Sequence, residues 1–391
     1  YSHLASDSLT LPAYFENRFE DNSRMLRVIS AVFILLFFLF YTSSGLVAAG
    51  KLFESTFGFG YELAVVIGTL AIISYTFFGG FLAVSWTDVI QGLLMAAALI
   101  VVPVMALNVV GGWDAVHGAM EARNPELLNL WTNVEGEPLG FIAIISLLGW
   151  GLGYFGQPHI LARFKAIESD AALPTARRIA VLWSGVCLLA ALVIGWIGIG
   201  YFGEEGLADA ETVFLALVQA LMHPLVAGIL LAAVLAAIMS TADSQLLVSS
   251  SALAEDFYKA LFRRDASQQE LVWVGRAAVV GIAALALVFA FNPESTVLGL
   301  VSYAWAGFGA AFGPAIILSL FWRRMNRFGA LAGIIVGGVT VVVWKQIDTI
   351  GLYEIIPGFI LATIAIVVVT LITPAPEGKV ADQFDDMASR F

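Results

Sequence analysis

Trp150-Gly151-Leu152-Gly153-Tyr154-Phe155-Gly156-Gln157-Pro158 closes a long apolar run with three glycines and a proline. A helix surrounded by lipid breaks only where its freed N–H and C=O groups meet protein, water or a bound molecule, because lipid supplies no partner. Glycine loosens a helix, and proline both removes a donor and clashes with the preceding turn. A break that also carries Trp150, Tyr154 and Gln157 has the makings of a solute site near the middle of a membrane.

The rest of the composition supports a membrane setting. Hydrophobic residues make up 60% of the 391 and charged residues only 13%, with a mean hydropathy of +0.90. Soluble domains carry about 25% charge. A net charge of −11 argues against nucleic-acid binding, which needs a basic surface. Cys187 is the one cysteine and lies in an apolar run, so neither a disulfide framework nor a thiolate metal site is expected. His3, His117, His159 and His223 form no pair at helical spacing, and the opening Tyr1-Ser2-His3 lacks the pattern of a signal peptide.

Apolar runs of about 20 residues are long enough to cross a bilayer as helices. The sequence predicts an all-α polytopic membrane protein with ten transmembrane helices, over 27–49, 61–78, 86–110, 139–156, 178–202, 225–250, 270–291, 297–321, 328–347 and 355–373. An amphipathic loop follows the third, and an acidic stretch from Glu204-Glu205 to Glu211 follows the fifth. With residues 1–26 placed in the cytoplasm, that side holds sixteen Lys and Arg, and the other only Lys51, Arg123 and Lys345. Positive residues collect on the cytoplasmic side, so both ends of the chain are expected there, with residues 374–391 as a cytoplasmic tail.

Ala237-Ile238-Met239-Ser240-Thr241-Ala242-Asp243-Ser244-Gln245 sits within the sixth run. Hydroxyl and carbonyl oxygens are hard ligands suited to a cation such as sodium. An aspartate inside a span costs about 2.5–3.5 kcal/mol to insert and is expected to face a cavity or partner. Ser240, Thr241, Asp243 and Ser244 are therefore read as ion ligands, and Ser249-Ser250-Ser251 as interface glue. Asp88, at the start of the third run, either begins a helix or belongs to an ion exit path. The small-residue stretch Tyr303–Pro314 reads mainly as packing, with Tyr303 placed equally well as a gate over the cavity.

These stretches carry a resemblance. SLLGWGLGYFGQPHILARF (146–164), YTFFGGFLAVSWTD (75–88), AGILLAAVLAAIMSTADSQLL (227–247), VSYAWAGFGAAFGP (301–314) and GLYEIIPGFI (351–360) look like the sodium/solute symporter family. The match runs from about Leu9 to Pro374 and is strongest to the family's proline branch. The resemblance implies a leucine-transporter-like inverted-repeat fold of thirteen spans in a bacterial inner (plasma) membrane. This chain would then begin after the third span, without the first broken helix. On that basis 27–110 is a partial first repeat, 139–321 the second, and 328–373 extra helices of a transport domain spanning 27–373. It implies a proline pocket with Trp150, Tyr154 and Pro158, and with Gly151 and Gly153 freeing backbone. Ser240 and Thr241 match a sodium-ligating hydroxyl pair, Asp88 an aspartate tied to sodium-dependent transport, and Tyr41 an aromatic near the substrate path. Asp243 and Ser244 are less regular across relatives; with Asp88 they are expected to line an inner, transient ion site.

The expected activity is sodium-coupled import of L-proline by alternating access. Pantothenate or another amino acid, and lithium or protons, are the competing cargoes. A solute-sensing membrane domain is the rival class; an enzyme is disfavoured, because no catalytic dyad or ligand cluster stands at readable spacing.

Overall fold

The computed structural model describes residues 8, 10–78, 81–133, 135–203, 206–292 and 294–389. Gly79, Gly80, Glu204, Glu205, His3 and Arg390 of the sequence reading lie outside the described residues. Among those described, helices dominate and no strand forms; one isolated bridge joins Thr132 and Pro138.

The helices are α1 Leu11–Arg18, α2 Met25–Phe57, α3 Tyr61–Phe78, α4 Phe81–Val110, α5 Trp113–Arg123, α6 Phe141–Gly153, α7 Pro158–Lys165 and α8 Leu173–Phe202. They continue as α9 Val213–Leu221, α10 Pro224–Ser251, α11 Gln268–Ala290, α12 Val297–Phe321, α13 Arg327–Ile347, α14 Ile355–Ile372 and α15 Lys379–Ser389. A π-helical segment, Ala252–Phe262, prolongs α10.

Eight of the described helices are long and apolar enough to span a membrane, and the bent pair α6–α7 makes nine. The sequence count of ten is not reached, because Tyr61–Phe77 is a shorter apolar helix. Two spans outrun their apolar cores. α2 continues to Phe57, where Lys51 anchors it by bonds to Asp209 Oδ2 (2.6 Å) and Glu211 Oε2 (2.7 Å). α10 continues through the π segment, whose residues Asp256 and Ala260 are held from elsewhere in the chain. The stretch 111–138, read as loop, contains α5, started at Gly112 and Asp114.

The chain divides into two units at four points, two inside α2 and α10 and two in the connections before α6 and after α7. The first comprises 1–44, 141–166 and 244–391. Its centre is α12, an Ala- and Gly-rich helix buried continuously from Ala304 to Ile316. Small side chains let α13, α14 and α6 approach it closely, while Phe308 and Phe312 fill the gaps against Phe15, Phe37 and Phe38. The second unit comprises 45–140 and 167–243. There α4, α5, α8 and α9 pack around Val102, Ala106, Val116, Ile197, Leu217 and Val218. Gly68 of α3 meets Ala49 of α2 so closely that an added Cβ would stand 2.6 Å from the Ala49 methyl.

Candidate functional site

In the first unit α6 stops at Gly153, a 3₁₀ turn spans Tyr154–Gly156, and Gln157 is extended (φ −75°, ψ 110°). Pro158 then opens α7 at the first helical position, where its missing N–H costs nothing. The two helices meet at 44°. The break expected from the glycines and proline is present.

Its freed carbonyls have partners. Trp305 Nε1 of α12 donates to Trp150 O (2.9 Å), and Gln157 Nε2 donates to Gly153 O (2.9 Å) and Trp305 O (3.3 Å). Gln157 is fully buried, and its Oε1 has no hydrogen-bond partner among the described residues. Glycine is required on this face: a Cβ at Gly153 would collide with the Trp305 indole, and one at Gly156 with the Phe308 carbonyl. On α12 a Cβ at Gly309 would stand 2.7 Å from Gly153 Cα. Gly151, within α6, has open space around its Cβ position.

Three aromatic rings gather at the break. Trp150 stacks on Trp305 (centroids 5.2 Å, 14°), and Tyr154 meets Trp305 edge-on (4.8 Å, 86°). Tyr154 is 48% exposed, which leaves this side of the cluster open. Tyr41 of α2 packs edge-on against His159 at the start of α7 (5.8 Å, 80°) and lies within electrostatic reach of Tyr154. The structure therefore brings Tyr41 to the break. Tyr303 packs instead against Phe37 and Phe40.

Trp305 was missed as a site residue. Its signal was a lone tryptophan in a run of Ala and Gly, which reads as packing until its partner 155 positions away is known. His159, dismissed for want of a second histidine, proves to be a contact of Tyr41 and Phe38.

The hydroxyl pair lies in the second unit. Ser240 Oγ and Thr241 Oγ1 both donate to Ala237 O, at 3.0 and 3.1 Å. Hydroxyl oxygens are hard donors of the type that suits a cation such as sodium. Among the described residues no three His, Cys, Asp or Glu side chains cluster as a metal site. Asp243 is fully buried, and Asp243 and Asp88 both interact electrostatically with Tyr75, whose hydroxyl bonds Thr87 Oγ1. The two acids singled out by sequence thus share one neighbourhood. Ser244 belongs to the first unit, where it accepts from Arg163 Nη2 at 2.7 Å.

Described residues that form eight or nine apolar helical spans, one of them broken beside stacked aromatics, have the architecture of a secondary transporter. Residues 2–337 match the Sodium:solute symporter family, and the chain belongs to it. It is 54% identical over 397 residues to the sodium/proline symporter of Escherichia coli K12, covering all of this chain and 78% of that protein. It is 48% identical over 389 residues to the high-affinity proline transporter PutP of Bacillus subtilis 168, covering 99% and 81%. The osmoregulated proline transporter OpuE of the same organism is 49% identical over 381 residues, covering 96% and 76%. A solved structure of the substrate-bound outward-open state of a sodium-coupled sialic acid symporter superposes with a TM-score of 0.74 at 21% identity. It covers 94% of this chain and 78% of that one. The shared fold is leucine-transporter-like. The family consists of transporters, not enzymes.

Proposed function

We infer that this chain carries a sodium-coupled symporter that imports L-proline, with sodium as co-transported cargo. The family and the named relatives support the reading, and one observation of the structure fits it to proline: the open Trp150–Tyr154–Trp305 cluster beside the N-terminus of α7. Proline has an apolar ring, a secondary ammonium and a carboxylate. Aromatic faces suit the first two, and the free N–H groups of a helix N-terminus suit the third. Pro158 shapes that terminus, the Gln157–Gly153 hydrogen bond braces the break, and Gly151 lies in the last turns of α6 beside it. Tyr41 borders it and Tyr303 backs it through the aromatic packing of α2.

Ser240 and Thr241 are the sodium-ligating pair in this reading, with Asp88 and Asp243 of the same unit lining an inner, transient ion position. Sodium and proline then stabilise the same open form, so each tightens the other, and rocking of one helix bundle against the other carries both across. The Lys/Arg asymmetry supports placing both ends of the chain in the cytoplasm, with the protein in a bacterial inner membrane.

Counterflow of radiolabelled proline in proteoliposomes tests the reading. Exchange that requires sodium supports it. Proline binding without exchange would favour a sensor, and sodium-driven exchange of pantothenate in preference to proline would replace the substrate. Proline should also change tryptophan fluorescence, and Trp150→Phe should remove most of that change.

A further inference from the structure

α7 is eight residues long and carries Arg163 and Lys165 in its last turn. Near the break it is held by edge-on contacts of His159 with Phe38 and Tyr41. α1 packs across it and across the π segment, and the two basic side chains reach outward: Arg163 to Ser244, and Lys165 Nζ to Ser8 O at 3.1 Å. Ser8 is itself held by Asn17, whose Nδ2 donates to its hydroxyl at 2.9 Å. Ser8 and residues 10–27 therefore lie as a strap over the basic end of the broken span.

The strap is fastened at one carboxylate. Asp256 of the π segment is fully buried, and its Oδ1 accepts from Thr10 Oγ1 (3.1 Å) and Arg27 Nε (2.7 Å). Arg27 Nη1 turns to Glu16 Oε2 of α1 at 2.9 Å. Arg24 bonds Ala260 O of the same segment at 2.6 Å, and does so from a left-handed backbone (φ 60°) that a non-glycine residue adopts only when held. Asp256 Oδ2 has no hydrogen-bond partner among the described residues, and the Lys165 ammonium is within electrostatic reach of this carboxylate. A static core completes its buried polar networks. One that leaves a carboxylate oxygen unfilled beside a basic helix end and a residue in left-handed backbone has the marks of a contact made and broken in function.

We propose that Asp256 is a positioning residue of the transport cycle, which, through Thr10 and Arg27, fastens this strap over Lys165 and so holds α7 closed. α7 swings only when the strap leaves Asp256 and Lys165 leaves the Ser8 carbonyl. The inference rests on the transport reading above, because a helix that never moves needs no fastening.

The test uses the full chain in proteoliposomes, with Cys187→Ser as background and Ala162→Cys on α7 as reporter. Maleimide labelling is followed in saturating sodium without proline, and proline uptake is titrated with sodium. Thr10→Ala and Asp256→Asn should each raise the labelling rate about fivefold or more and weaken apparent sodium affinity by a similar factor, because the sodium-binding form becomes less populated. Proline KM at saturating sodium should stay within about twofold, and Asp256→Glu should restore part of the loss. If Asp256→Asn does not fold, Thr10→Ala and Lys165→Gln carry the same expectation. Unchanged labelling and sodium affinity in folded variants would overturn the proposal. Absence of sodium-dependent proline counterflow in the parent protein would instead overturn the transport reading, whatever the variants do.

Discussion

At the scale of single residues, Trp305 and Gly153 set the geometry of the break. Trp305→Phe keeps the ring but leaves the Trp150 carbonyl without its donor, at a cost of about 1–3 kcal/mol. The expected result is a lower melting temperature in detergent and a roughly tenfold rise in proline KM, read by thermal unfolding and by uptake. Gly153→Ala drives a methyl into the Trp305 indole; overpacking of that kind costs about 1–3 kcal/mol, and uptake should fall with it. Ser240→Ala and Thr241→Ala should weaken apparent sodium affinity about tenfold or more and leave maximal uptake less affected, as titration of uptake with sodium will show. Legibility at this scale divides by chemistry. Glycine and proline announce a break because they act on their own backbone, so Gly153, Gly156 and Pro158 could be read directly. Trp305 and Asp256 act on residues more than 100 positions away, and nothing in their own neighbourhood records that.

At the scale of elements, long uniform hydropathy made α8, α11, α12, α13 and α14 legible to within a few residues. The ends were not legible where polar bonds extend a helix past its apolar core. α2 is the clearest instance, because its last turns depend on Lys51 meeting Asp209 and Glu211. Burial pushes the Asp209 carboxyl up, but the hydrogen bonds from Lys51 and the Glu211 N–H more than offset this and hold it below the usual aspartate value. A depressed carboxylate stabilises the fold above its unfolded pKa, and that contribution disappears as pH falls through the folded value. The stability this strut adds should therefore be complete above about pH 4 and decline below it. Lys51→Met should flatten that part of the pH profile, measured as melting temperature between about pH 3 and 6.

At the scale of the whole molecule, coupling sets what can be measured. If sodium and proline favour one form, proline must tighten sodium by the same factor that sodium tightens proline, typically about 5–150-fold. Paired titrations by calorimetry check this, and unequal factors would exclude simple linkage. A membrane potential adds about 2.3 kcal/mol per transported charge per 100 mV, so uptake should rise steeply with an imposed inside-negative potential. The two units were not legible in advance, because two of their four boundaries fall inside unbroken helices, α2 and α10, where no change of composition marks them. The contact of Gly153 and Gly156 with α12 has a mechanical consequence. Backbones that touch at glycine leave no slack for one helix to slide along the other, so added bulk at either contact must pry the two helices apart rather than shift them.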